Sequence, residues 1–190
     1  MPDCLLGIPG RLNVENAVGA AAMALSYGIA PLEVKKALAS FRGVERRMDI
    51  KYQSKTCCYI DDYAHHPEEL KAFITSVRKL YPALKITGIF QPHLFTRTRD
   101  LADEFASSLD LLDTAVILPI YPARENPIEG ISSAILADKM KNSDHHLLQK
   151  SEIMKFLHEF PTEVLLTMGA GDIDLLSDEI IETIKHEEKA

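Results

Sequence analysis

Thr-Ala-Val-Ile-Leu-Pro-Ile at positions 114–120 (TAVILPI) is a strand-like run with almost no polar residue. A strand with one wet face alternates apolar and polar side chains, so an unbroken apolar run suits a strand covered on both faces. EVLLTM at 163–168 reads the same way, and KITGIF at 85–90 supplies a third strand. Helical spacing separates them. A helix starts at Pro67, with Glu68 and Glu69 in its positive first turn and Leu70, Phe73, Ile74, Val77 and Leu80 on one face. A second, near 99–112, carries Leu101, Phe105, Leu109 and Leu112. Further helices are expected near 132–141, 151–159 and 172–185, with a short strand HHLL at 145–148. Before all of these, MDIKYQS and TCCYIDD read as two strands joined by a polar link at Ser54–Lys55, which makes a hairpin. Alternation of apolar strands with helices implies an α/β fold: a mostly parallel, doubly wound sheet of about six strands, opened by an antiparallel hairpin. Residues 14–41 are helical in pattern, and a composition shift near Gly43 separates this short helical segment from the sheet.

The composition is that of a globular chain with a real core: 190 residues, 46% hydrophobic and 26% charged, with mean hydropathy of −0.04. A net charge of −7, with no basic tail, argues against a nucleic-acid or anionic-membrane partner. The longest apolar stretch, Ala17–Leu25, is about half of the roughly twenty residues a membrane span needs. The opening MPDCLLGIPG lacks a basic segment and a long apolar core, so no secretory leader is expected. Three cysteines, two of them adjacent (Cys57 and Cys58), read as reduced thiols of a cytoplasmic protein. For an enzyme that must hold two substrates and a nucleotide, the chain is short.

In open α/β sheets, ligands gather beyond the carboxyl ends of the strands. Four segments fall there: DDYAHHP (61–67), QPHLFTRTRD (91–100), YPAREN (121–126) and GAGD (169–172). They bring His65, His66, His93, Arg97, Arg99 and Arg124 toward one rim. Two acids, a Tyr and two His in DDYAHHP suit ribose hydroxyls, a metal or an amine. The plainer reading has Asp61 and Asp62 open a loop and His66 cap a helix. A zinc site lacks a third ligand at a recognised spacing, so no metal is expected there. Arg97 and Arg99, two apart just before a helix, suit a phosphate or carboxylate, or form a solvated pair. GAGD is either an anion site at a helix start or an ordinary tight turn; it is not GxGxxG, because Asp174 occupies the last position. GVERRMD (43–49) places Arg46 and Arg47 at the junction, as ligand contacts or as a charged linker. NVEN (13–16) puts Asn13 and Asn16 on one helix face. No G-x-x-x-x-G-K-[ST] phosphate loop occurs in the chain.

Taken together and in order, GRLNVENAVGAA, GVERRMD, DDYAHHPEE, QPHLFTRTRD, YPARENPIEGISS and GAGDI resemble the carboxyl-terminal part of a Mur ligase. DDYAHHP is shared with murein tripeptide ligases of cell-wall recycling. TRTRD and PIYPARE favour the members that use L-alanine. The resemblance implies a Rossmann-like fold for residues 43–190 and makes 1–42 the helical end of a central ATPase domain. It implies a bacterial, cytoplasmic ligase of peptidoglycan precursor synthesis with UDP-N-acetylmuramate, L-alanine and ATP as partners. ATP and Mg2+ would be held mainly by the rest of the protein's own chain. The muramate carboxylate is activated as an acyl phosphate, and the alanine amine displaces phosphate. By the same resemblance Asn13 and Asn16 lie near adenine, one of Arg46 and Arg47 reaches the nucleotide, and Asp62 holds the ribose. Tyr63, His65 and Arg97 face L-alanine or the reacting centre, with His65 and Arg97 the catalytic candidates and Arg124 a rim candidate. Two positions depart from the family's common pattern: Leu12 stands where a His precedes the first Asn, and Leu94 where an Arg follows the PH of QPH. Arg97 or Arg124 would then compensate for the missing cation. A stand-alone nucleotide- or amino-acid-binding module and a metal hydrolase built on Asp62, His65 and His66 are the competing readings.

Overall fold

The computed structural model describes residues 3–188, without the side chains of Arg11 and Leu12, so the Leu12 departure lies outside the described residues, as do Met1 and Pro2 of the opening stretch. The chain divides into two compact units, Met1–Glu45 and Arg46–Ala190.

In the first unit, α1 (Arg11–Ser26) is followed by α2 (Pro31–Ser40), whose Pro31 takes the first helical turn, where a missing N–H costs nothing. The apolar burial here is thin. Ala21 and Val34 are buried, whereas Val14, Val18, Met23 and Leu32 are more than half exposed.

The second unit holds β1 (Asp49–Gln53), β2 (Cys58–Asp62), α3 (Pro67–Leu80), β3 (Ile86–Phe90), α4 (Phe95–Asp100), α5 (Ala102–Leu109) and β4 (Thr114–Ile117). It continues with α6 (Ala134–Ala137), β5 (His145–Leu147), α7 (Ile153–Glu159), β6 (Val164–Met168) and α8 (Ser177–Glu187). The six strands form one sheet in the order β1-β2-β6-β3-β4-β5. Only β1·β2 is antiparallel, as the hairpin reading requires. The last strand in sequence inserts between β2 and β3, and all five of its residues are buried.

Side chains alternate between two apolar layers, as the two-residue strand period demands. Ile60, Phe90, Ile117, Leu166 and Met168 meet α3, α5 and α6 through Leu70, Phe73, Phe105, Leu109 and Leu136. Tyr59, Ile89, Val116 and Leu165 meet α7 and α8 through Ile153, Phe156, Ile180 and Ile184. Gly88 lies at the tightest point of the first layer. A Cβ there would stand 2.6 Å from Leu112 Cδ1 and 2.9 Å from Met168 Cε.

Several expected boundaries move. The helix expected near 99–112 is two helices, broken at Leu101 (φ −118°, ψ 26°), so TRTRD lies inside α4 rather than ahead of a helix. Leu80, expected inward, is 40% exposed. The 14-residue α3 runs about 21 Å, longer than a five-residue strand of about 17 Å, and Leu80 lies in its last turn. The β4 ladder stops at Ile117 because Pro119 has no N–H to donate. The helix expected near 132–141 is only Ala134–Ala137. The Asp110 carboxylate instead takes the Lys141 and Asn142 N–H groups, both at 2.9 Å. The final helix is preceded by a 3-10 turn, Ile173–Leu176. The three cysteines are free.

Candidate functional site

Because β2, β6, β3 and β4 are parallel, their carboxyl ends share one edge of the sheet. The loops leaving that edge meet there. Beyond β3 and β4 the chain stays zipped: His93 and Tyr121 form a parallel bridge, Tyr121 N–H donates to the Pro92 carbonyl at 2.8 Å, and Leu94 N–H to the Tyr121 carbonyl at 3.0 Å. Leu94 pays for this with a positive φ of 71°, a conformation that stores strain in a branched residue.

The ring contacts result from this placement. His93 stacks on Tyr121, with centroids 5.8 Å apart, and meets His65 edge-on at 5.9 Å. His65 meets Tyr63 edge-on at 5.2 Å. Burial, followed by the neighbouring charges of Arg97 and His65, lowers the His93 pKa; its buried Nδ1 has no hydrogen-bond partner. Glu69 orders the β2–α3 loop by accepting the His65 and His66 N–H groups at 3.0 and 3.1 Å, a device of helix starts. Burial opposes ionisation of Glu69, but those N–H groups and the His rings outweigh it and hold the carboxyl below its usual range. His65 Nδ1 lies 3.0 Å from the Tyr63 carbonyl. A carbonyl only accepts, so Nδ1 carries a hydrogen, and the same nitrogen lies 3.3 Å from Glu69 Oε2.

The two arginines of TRTRD separate. Two positions on a helix are about 200° apart. Arg97 reaches toward His65, with its guanidinium 3.5 Å from the carbonyl, while exposed Arg99 pairs with Asp100 at 2.7 Å. A joint grip on one anion is therefore not formed. Arg124 is exposed on its loop. Its neighbour Glu125 is the anchoring group, accepting the Thr96 N–H at 3.0 Å at the start of α4 as well as the Thr96 hydroxyl.

The GAGD turn is not an anion site in this fold. Its Gly169 and Gly171 carbonyls face a cation, the Arg46 guanidinium, at 2.6 and 3.3 Å. The turn leads into the 3-10 segment Ile173–Leu176 rather than directly into an α-helix. Close approach does explain the glycines: a Cβ on Gly169 would stand 2.8 Å from the Gln91 carbonyl, and one on Gly171 2.7 Å from Tyr121 Cγ. Beside this turn a cleft is lined by Gln91, Ile120, Tyr121, Lys150, Ser151 and Asp172, with Lys150 paired to Asp172.

Asp62, the ribose candidate, binds backbone: its two oxygens accept the Met48 N–H at 2.7 Å and the Ala64 N–H at 2.8 Å. Burial raises its pKa to about 6 in spite of those two bonds, and the Asp61 charge adds to the rise. A carboxyl whose pKa is raised on folding favours the fold below its unfolded value, and that advantage is lost as pH rises through the folded value. The Tm of the native chain relative to Asp62→Asn is therefore expected to fall between about pH 4 and about pH 7. A pH-independent difference between the two melting curves would contradict it.

Asn13 and Asn16 both lie on α1 in the first unit. Asn13 Nδ2 donates to the Pro9 carbonyl at 2.7 Å, and Asn16 is exposed. Arg47 is exposed. No group of three or more potential metal-ligating side chains converges among the described residues. Sequence reasoning named His93 on the rim, Glu69 in a first helical turn and Asp61 at a strand end without giving them a role, and gave none to Tyr121 or Glu125. His93 had a visible signal, its place at the strand end in QPH, but its stacking on Tyr121 depends on the β3–β4 pairing.

Comparison with known proteins gives this rim its relatives. The chain is 47% identical over 184 residues, 97% of its length, to a protein of Parabacteroides distasonis named UDP-N-acetylmuramate–L-alanine ligase, of which it covers 40%. A protein of the same name from Flavobacterium psychrophilum is 46% identical over 97% of this chain and 40% of its own. A crystal structure of UDP-N-acetylmuramate–alanine ligase from Thermotoga maritima superposes with a TM-score of 0.79 at 30% identity, covering 97% of this chain and 40% of that one. A murein peptide ligase from Psychrobacter arcticus, 19% identical, shares the fold with a TM-score of 0.65 over 94% of this chain and 38% of its own. The chain thus spans about 40% of the length of the named relatives it matches. Residues 46–176 match the family model described as Mur ligase, glutamate ligase domain, and with the sheet order and rim already in place the chain belongs to the Mur ligase family.

Proposed function

We propose that the chain is the carboxyl-terminal part of an ATP-dependent amide ligase that joins L-alanine to UDP-N-acetylmuramate in peptidoglycan precursor synthesis in the bacterial cytoplasm. The observation that carries this reading is the rim where Tyr63, His65, His93 and Arg97 converge, in a chain 47% identical to a protein of that name. In the same reading residues 1–42 close a central ATPase domain, and residues 43–190 are the domain that receives the amino acid.

The rim's chemistry suits a zwitterion. The Arg97 guanidinium has the planar fork that matches a carboxylate. The His65 imidazole stands near it and in this reading takes a proton from the α-ammonium, so that the amine becomes a nucleophile. Tyr63, 40% exposed, borders the same space. With leucine at position 94, Arg97 is the cation left to the QPHLFTR segment.

ATP supplies the phosphoryl group that activates the muramate carboxylate. In this reading Asp62 takes the ribose and Arg47 is an exposed cation of the same unit, while Asn13 and Asn16 of the first unit are the adenine candidates by the family resemblance. The sequence has no phosphate loop, and the described residues hold no cluster suited to Mg2+. In this reading the triphosphate and its metal are held mainly by the rest of the protein.

The test is phosphate release. The 190-residue chain with ATP, UDP-N-acetylmuramate and L-alanine is expected to release none. The same chain joined to a complete central domain and UDP-sugar domain is expected to release phosphate only when both the sugar nucleotide and alanine are present. Alanine-dependent release by the chain alone would overturn the division of labour. Use of murein tripeptide in place of alanine would assign the recycling reaction, and tight ATP binding without any ligation would make the chain a binding module.

A further inference from the structure

We propose that Arg46 is a positioning residue, which locks Tyr63 and the Gly169–Gly171 turn into the rim. This assignment does not rest on the ligase reading.

The argument starts inside the sheet. Asp61, at the end of β2, is fully buried, where an uncompensated carboxylate is costly. The Thr167 hydroxyl donates to its Oδ1 at 2.6 Å, and Arg46 Nε stands 3.4 Å from its Oδ2. The Thr167 hydroxyl also contacts the Tyr59 hydroxyl at 3.0 Å, which contacts the Ser177 hydroxyl at 3.0 Å. A chain of polar side chains thus runs from α8 through β2 and β6 and ends at the Arg46 guanidinium.

That guanidinium is already engaged. It donates to the Gly169 carbonyl at 2.6 Å and the Gly171 carbonyl at 3.3 Å, and pairs with Asp174 at 3.2 Å. Its central carbon lies 5.0 Å from the Tyr63 ring centroid, within range of a cation–π contact. The backbone is held as well. Arg46 carbonyl accepts the Tyr63 N–H at 2.7 Å, and Arg46 N–H donates to Asp49 Oδ2 at 3.2 Å. Arg46 keeps a left-handed φ of 59°, a strain that persists only where surrounding contacts over-determine it. Its side chain is 16% exposed, and two carboxylates and two carbonyls already face its one charge. A phosphate would have to displace them. Arg47, one residue on, is exposed.

The test uses the 190-residue chain with Arg46→Met, Arg46→Lys and Arg47→Met, read by NMR at the Tyr63 ring and by amide exchange over Gly169–Asp174. Arg46→Met is expected to move the Tyr63 ring shifts and speed that exchange about tenfold, as loss of charge-assisted bonds should. Arg46→Lys keeps the charge but not the fork, and should restore exchange only in part. Arg47→Met should move neither. Native shifts and exchange in folded Arg46→Met, or equal effects from Arg47→Met, would overturn the assignment. If Arg46→Met does not fold, the double variant Arg46→Met/Asp61→Asn removes the buried charge together with its partner and carries the same readouts. Failure of that double variant to fold would make Arg46 a stability residue of the whole unit and also overturn the proposal. In the full-length ligase, Arg46→Met should leave the KM for ATP unchanged, and a rise of about tenfold would make Arg46 the nucleotide contact and overturn the proposal. A ligase reading that is itself wrong would show as no activity in any protein, native included, with the NMR arms unaffected.

Discussion

Alanine in place of Arg97 is expected to lower kcat/KM for the amino-acid substrate about a hundredfold in the full-length ligase, with little change in folding stability. Both halves of that expectation come from how the side chain is held. Arg97 makes one long contact, 3.5 Å to the His65 carbonyl, so the fold leans on it very little. Its charge nevertheless stands close enough to His93 to lower that ring's pKa, second only to burial. The proposed reaction brings a carboxylate and a phosphorylated acyl group to this rim, and a fixed cation there acts without solvent reorganisation. Arg97→Lys should recover part of the loss, since charge remains but the planar fork does not. Steady-state kinetics with L-alanine, beside a melting curve, checks the pair of expectations. Native kcat/KM in a folded Arg97→Ala protein would remove Arg97 from the site.

Phe105→Ala should do the opposite. It is expected to destabilise the sheet unit by about 3–5 kcal/mol, the range for deleting a buried aromatic ring. Phe105 is fully buried on α5, and its ring lies 5.4 Å from that of Phe90 on β3. It belongs to the buried layer that also holds Leu109, Leu136, Leu166 and Met168, where truncating a ring leaves a cavity. For a unit of this size the loss amounts to a fall in Tm of about 10 °C. A urea titration reads it directly as a lower midpoint at unchanged slope. A loss below about 1 kcal/mol would mean that the α3–α5–α6 layer collapses into the cavity, against the close packing of that layer.

Legibility differed between fold and site for a physical reason. Apolar periodicity is local, so β4 and β6, the inward face of α3 and the hairpin could all be read from a few consecutive residues. The break at Leu101 could not, because it falls inside a run with continuous helical spacing. Its consequence for the site was large: Arg97 entered a helix and parted from Arg99. His93 stood in view in QPH but needed Tyr121, across a strand pair, to show its role. Glu69 and Glu125 read as ordinary surface acids, and only their hydrogen bonds to loop amides reveal them as anchors.

By itself the sequence determined the α/β class, the antiparallel opening, the four segments at the strand ends and, through six motifs in order, the family. Tertiary structure alone decided three things: that β6 inserts between β2 and β3, that the GAGD turn seats a cation, and that two adjacent arginines have opposite fates. Each depends on partners far apart in the chain. Arg46 meets Gly169 across 123 positions, and Thr167 meets Asp61 across 106. Local pattern cannot encode which of two neighbouring guanidinium groups a left-handed backbone turns inward. The buried Asp61 carboxyl, 3.4 Å from Arg46 Nε, lies on that inward side, where an uncompensated carboxylate is costly, and the contacts around Arg46 hold its left-handed backbone.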